Sequence, residues 1–143
     1  LRERYPRSVV GHAPATELGA LYGRAAVGVN FSIRRELNMR IFEILCAGSL
    51  LITNRLAEAE LPRLGLREGE HYLAYERPAE LWAQLEEALQ QPAWRQAMAA
   101  RGQAVAWARH TYRQRALQIA REAAERLGCQ WLPSGVAASS GAA

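Results

Sequence analysis

Between Gly48 and Asn54 the chain reads Ser49-Leu-Leu-Ile-Thr53, apolar at consecutive positions rather than alternate ones. A strand with one face in water alternates, so a run apolar on both faces must be covered on both. That is the condition of a parallel sheet layered between helices. The segment before it, from about Leu37 to Ala47, has helical apolar spacing, and Gly48 stands where a left-handed residue ends a helix. Three further runs have strand length and composition: Ser8 to His12 (SVVGH), Ala25 to Phe31 (AAVGVNF) and His71 to Tyr75 (HYLAY). Between the first two, Thr16 is placed to cap a helix carrying Leu18, Leu21 and Tyr22. Glu58 to Leu66 reads as a short helix broken at Pro62, and Gly69 turns the chain.

From Pro78 onward the character is helical. Pro78 suits a first turn, and Leu81, Trp82, Leu85 and Leu89 form a stripe that Pro92 ends. Two more helices are predicted, Ala93 to about His110 and Thr111 to Leu127, with Gly102 a soft spot in the first. Trp82, Trp94 and Trp107 read as core or interhelical packing. Strand–helix alternation with a helical C-terminus predicts an α/β fold with a Rossmann-like parallel sheet of four strands. One domain is expected over residues 1–128, followed by a small, polar, disordered tail over 129–143.

Composition narrows the classes of function. Of 143 residues, 50% are hydrophobic and 22% charged, as in a water-soluble globular domain. No apolar run reaches the roughly 20 residues that cross a bilayer. The first residue is Leu and no leader follows it, so either a piece of a longer polypeptide or a misplaced start is expected. All 18 basic residues are Arg, and the net charge is +4. They are scattered, as a GC-rich coding sequence would leave them, and form no basic face with interleaved aromatics; no nucleic-acid partner is expected. Cys46 and Cys129 in a chain of this size suggest a reducing, cytoplasmic setting. His12, His71 and His110 have no metal-ligand spacing, and no metal or tightly bound cofactor is expected.

Chemistry-bearing residues concentrate in RRELNMRIFEILCAG, where Glu36 and Glu43 stand among Arg34, Arg35 and Arg40. The loop Ser32 to Arg35 leaves a strand's carboxyl end and enters a helix N-terminus. Free N–H groups and the helix dipole favour a phosphate there.

From Val9 to about Ala120 the chain resembles the C-terminal, donor-binding half of GT-B glycosyltransferases of the group-1-like (GT4-type) family, in a spore-maturation-type subgroup. The resemblance rests on VVGHAPATELGALYGRAAVGVNFS, ELNMRIFEILCAGSLLITN, EGEHYLAYERPAELWAQLEEAL and GQAVAWARHTYRQRA, in that order. It implies a hexosyltransferase-like activity that moves a glycosyl group from a UDP-, GDP- or dTDP-sugar to an acceptor, without a metal. Through FEILCAG it gives Glu43 the ribose hydroxyls. Arg40 first, with Arg34 and Arg35, would neutralise the leaving diphosphate. Asn38 either bonds a phosphate oxygen or caps the helix, and Ser32 belongs to the phosphate-facing loop. His12, at the end of the first strand, would face the donor.

The resemblance is incomplete. The family's two acids stand one residue further apart than Glu36 and Glu43, so register from Glu43 places Arg35 at the sugar-facing position. Glu36 alternatively answers only the helix dipole. The family's first donor-domain strands, which would lie mid-sheet, have no counterpart here, and neither has the N-terminal acceptor half. This polypeptide alone is therefore expected not to turn over substrate, and peripheral membrane contact falls to regions outside it. Two alternatives stand: a degenerate binding or scaffold domain of the same fold, and an unrelated α/β module of response-regulator type. The second wants acids at the strand ends, which VVGHA and VGVNF lack.

Overall fold

A computed structural model describes residues 1–57 and 60–129. In chain order these form α1 (Ala15–Arg24), β1 (Val27–Asn30), α2 (Met39–Cys46), β2 (Leu50–Asn54), α3 (Glu60–Arg63), β3 (Leu73–Tyr75), α4 (Pro78–Gln90), α5 (Pro92–Arg109) and α6 (Tyr112–Leu127). The three strands make one parallel sheet in the order β1-β2-β3, with Val27 opposite Leu50 and Ile52 opposite Leu73. This is the α/β, Rossmann-like architecture with a helical C-terminus.

The central strand explains the layering. All five residues of β2 are buried. Leu51 points into one core with Ile41, Ile44 and Leu45 of α2, Tyr72 and Ala106. Leu50 and Ile52 point into another with Tyr75, Leu81, Leu85 and Met98. Helix α5 serves both cores, through Met98 and Ala99 on one side and Ala106 on the other. Where it passes between them stands Gly102. A Cβ there would lie 2.6 Å from His71 O and 2.8 Å from Leu45 Cδ2. The predicted soft spot is instead a close contact.

Local chemistry sets most boundaries. Gly48 follows α2 at φ 81°, and Pro78 and Pro92 occupy first-turn positions of their helices. Thr111 caps α6 by accepting the Gln114 N–H at 3.2 Å. The outer edge of β3 is covered by α4, whose Gln84 amide donates to Ala74 O at 2.7 Å.

Several expectations are corrected. Ser8 to His12 forms no strand: Val9 and Val10 are exposed, the Ser8 N–H turns back to Tyr5 O, and the Arg2 guanidinium takes Val10 O. An apolar run becomes a strand only beside another strand, and this one has none. The described sheet accordingly has three strands, not four. Thr16 lies inside α1 and makes no cap; Pro14 O receives the Glu17 N–H instead. Pro62 sits within α3 rather than breaking it, since early helical positions need no N–H donor. Trp82 packs beside Tyr5, but Trp107 is 61% exposed and its indole N–H bonds Cys46 O at 2.9 Å. Glu58 and the tail beyond Cys129 lie outside the described residues.

Candidate functional site

At the carboxyl ends of β1 and β2 the apolar core gives way to a buried polar layer. Asn30 and Thr53 have no exposed surface, and Ser32 and Asn54 have little. Buried polar groups need partners, and these largely find one another. Asn30 Nδ2 donates to Thr53 Oγ1 at 3.0 Å, and the Thr53 hydroxyl donates to Asn54 O at 3.2 Å. Tyr75 donates its hydroxyl to Asn30 O at 3.3 Å, with its pKa pushed up by burial. Asn54 accepts the Ser32 N–H at 2.7 Å and donates to Ser32 O at 2.8 Å. Asn30, Thr53, Asn54 and Tyr75 escaped the sequence reading. The available signal was that two apolar strands, VGVN and LLITN, both end in Asn.

The loop from Ser32 to Asn38 is built on this layer. The Ser32 hydroxyl donates to Glu36 O at 2.8 Å, and the Arg35 N–H closes a turn onto Ser32 O at 3.3 Å. Arg35 has φ 57°, the left-handed region that a residue with a Cβ occupies at some cost. Its carbonyl accepts the Ala57 N–H at 3.1 Å, tying this loop to the one after β2. Glu36 precedes α2 rather than lying in its first turn. Its carboxyl is held below the usual carboxylate range first by its own backbone N–H, against some desolvation, then by the Ser32 hydroxyl and the N–H and charge of Arg34.

Helix α2 carries the remaining candidates. Asn38 holds the N-cap position with extended backbone, yet its side chain makes no cap bond, and its Oδ1 is buried without a described partner. Among the described residues, no side chain accepts from the first-turn N–H groups of α2. Arg40 is exposed in that turn and Glu43, one turn further on, is half-buried. Ile41, Ile44 and Leu45 face the core. At roughly 100° per residue, Glu43 lies on the side of α2 turned away from them. Arg34, Arg35, Arg40 and Glu43 form no ion pair among the described residues.

The structure thus brings Ser32, Arg34, Arg35, Glu36, Asn38 and Arg40 into one loop and helix start, with Glu43 one turn on. His12 stands apart from them in sequence, exposed in the irregular segment before α1. A cleft of about 240 Å³ opens elsewhere, lined by Arg55, Leu56, Leu61, Arg67, Glu68 and Tyr72 among others. None of the sequence-derived site residues lines it. No group of three or more metal-ligating side chains occurs among the described residues, and no described helix is long and apolar enough to cross a membrane.

A family model described as glycosyl transferase-like matches residues 2–121, from the N-terminal segment into α6. Neither the curated proteins nor the solved structures yield a match. The matched span includes the whole sheet, the polar layer and the loop leading into α2. On that match the chain belongs to the glycosyl transferase-like family.

Proposed function

We propose that this chain binds the nucleotide-sugar donor of a glycosyl transfer, at the carboxyl ends of β1 and β2. The observation that carries this, beside the family match, is the uncapped N-terminus of α2 directly behind an arginine-bearing loop. Backbone N–H groups without a cap, the positive end of the helix dipole and nearby guanidinium groups suit a diphosphate. In the transfer, the bond from the anomeric carbon to the diphosphate oxygen breaks and negative charge gathers on the leaving group. Arg40, Arg34 and Arg35 with the α2 N–H groups would take that charge. Asn38, whose side chain makes no cap bond, would donate its Nδ2–H to a phosphate oxygen. Glu43 would accept from both hydroxyls of the ribose cis-diol.

The test is titration of the full-length polypeptide with UDP-, GDP- and dTDP-sugars, beside a Glu43→Ala variant. Loss of two charge-assisted bonds is expected to weaken nucleotide binding at least tenfold, about 1.4 kcal/mol, at unchanged melting temperature. Unchanged affinity would remove the ribose assignment. A second reading, binding without turnover, is favoured by Arg35 standing where register from Glu43 puts the sugar-facing acid. Release of free nucleoside diphosphate on adding acceptor, measured with the acceptor half present, separates the two.

A further inference from the structure

Asn54 closes β2 and is 9% exposed. Its amide is committed at both ends to one residue, accepting from Ser32 N at 2.7 Å and donating to Ser32 O at 2.8 Å. Two such bonds imitate a rung of a β-ladder, with a side chain in place of a strand. They fall just past Asn30, where β1 has ended. The rest of the loop hangs from Ser32, through its hydroxyl to Glu36 O and its carbonyl to the Arg35 N–H. A second tie joins the Ala57 N–H to Arg35 O. Segment 54–57 therefore grips segment 32–36 at two points, Ser32 and the left-handed Arg35. A strained residue persists only when its surroundings over-determine it.

We propose that Asn54 is a positioning residue: it presets the loop 32–36, so that Arg34, Arg35 and the α2 N-terminus meet a diphosphate in one geometry. It touches no ligand itself. This rests on the donor reading above. Asn54→Asp keeps the shape and the acceptor for Ser32 N–H, but sets an anionic oxygen against Ser32 O where a donor had been. Asn54→Ala removes both bonds.

The experiment measures, for wild type and both variants, amide exchange residue by residue, melting temperature, and affinity for UDP, GDP, dTDP and the corresponding nucleosides. In Asn54→Asp the amides of Ser32, Arg35 and Ala57 should exchange about tenfold faster or more, with Leu51 and Ile52 unchanged. Affinity for the preferred nucleoside diphosphate should fall roughly 10- to 100-fold, as for a site misplaced by about an ångström, while nucleoside affinity stays. Equal losses of nucleoside and diphosphate binding would mark a general structural role and overturn the proposal. Unchanged loop exchange, or faster exchange with diphosphate affinity intact, would overturn it too. If Asn54→Ala does not fold, Asn54→Asp decides. A wild-type chain that binds none of the three nucleotides sinks the donor reading and the diphosphate half of this proposal; loop exchange still decides whether Asn54 presets the loop.

Discussion

A methyl group at position 102 would lie 2.6 Å from a backbone oxygen, that of His71, which cannot rotate aside. Gly102→Ala must therefore move α5 away from the approach to β3. Overpacking of this kind costs about 1–3 kcal/mol, against about 1 kcal/mol that alanine regains as the better helix former. A net change between nothing and a loss of several degrees in melting temperature is expected; a variant more stable than wild type by about the full helix-propensity gain would refute the contact. Propensity alone misread this glycine, because its partners are distant in sequence. His110 poses a different residue-scale question. Its Nε2 lies 2.8 Å from Leu64 O, so that nitrogen carries a proton, and Nδ1 is buried without a described partner. Burial pushes its pKa below the ordinary 6.5; the bond to Leu64 opposes this, and the charges of Arg115 and Arg109 reinforce it. The unfolded chain thus takes up the proton first. The stabilising contribution is whole above pH 6.5 and is lost as pH falls from there through the lower folded value. Melting temperature should fall on acidification below about pH 6.5, and His110→Gln should flatten that part of the profile. Identical profiles would assign the slope to other groups.

At the scale of elements, the cap of α6 isolates one bond. Thr111 Oγ1 accepts the Gln114 N–H, and no residue of α6 is buried. Thr111→Ala should cost about 1 kcal/mol, felt as fraying of the first turn of α6, with Thr111→Ser restoring it. Amide exchange at Gln114 reads this; an unchanged rate in Thr111→Ala would dismiss the cap. Such local chemistry is why the starts of α4, α5 and α6 were legible in the sequence, as was β2 from its unbroken apolar run. Ser8 to His12 was misread for the converse reason: a strand is completed by its neighbour, and composition does not supply one. The candidate site divides the same way. Arg34, Arg35, Asn38, Arg40 and Glu43 come from one contiguous stretch that a motif can flag. The grip of Asn54 on Ser32 spans two strands, and the left-handed Arg35 depends on that grip, so neither leaves a local trace.

For the molecule as a whole, burial is graded outward from β2. That strand lies between the other two, all five of its residues are buried, and both cores converge on it. Helices α1 and α6 bury no residue at all. Opening α6 therefore exposes little apolar surface, whereas freeing β2 dismantles both cores. Native-state amide exchange across a denaturant series should separate the two. Leu51, Ile52 and Thr53 should exchange only by global unfolding, with the denaturant dependence of the whole transition. Amides within α6 should exchange by local opening, at lower free energy and with almost no denaturant dependence. The Ser32 amide, held by Asn54 at the end of β2, should follow the strand rather than the helices. Exchange of α6 at the free energy of β2 would mean that the helix is cooperative with the core despite its exposure. The separation matters for the proposed donor site: a loop anchored to the last part to unfold keeps its arginines in place while α6 opens and closes.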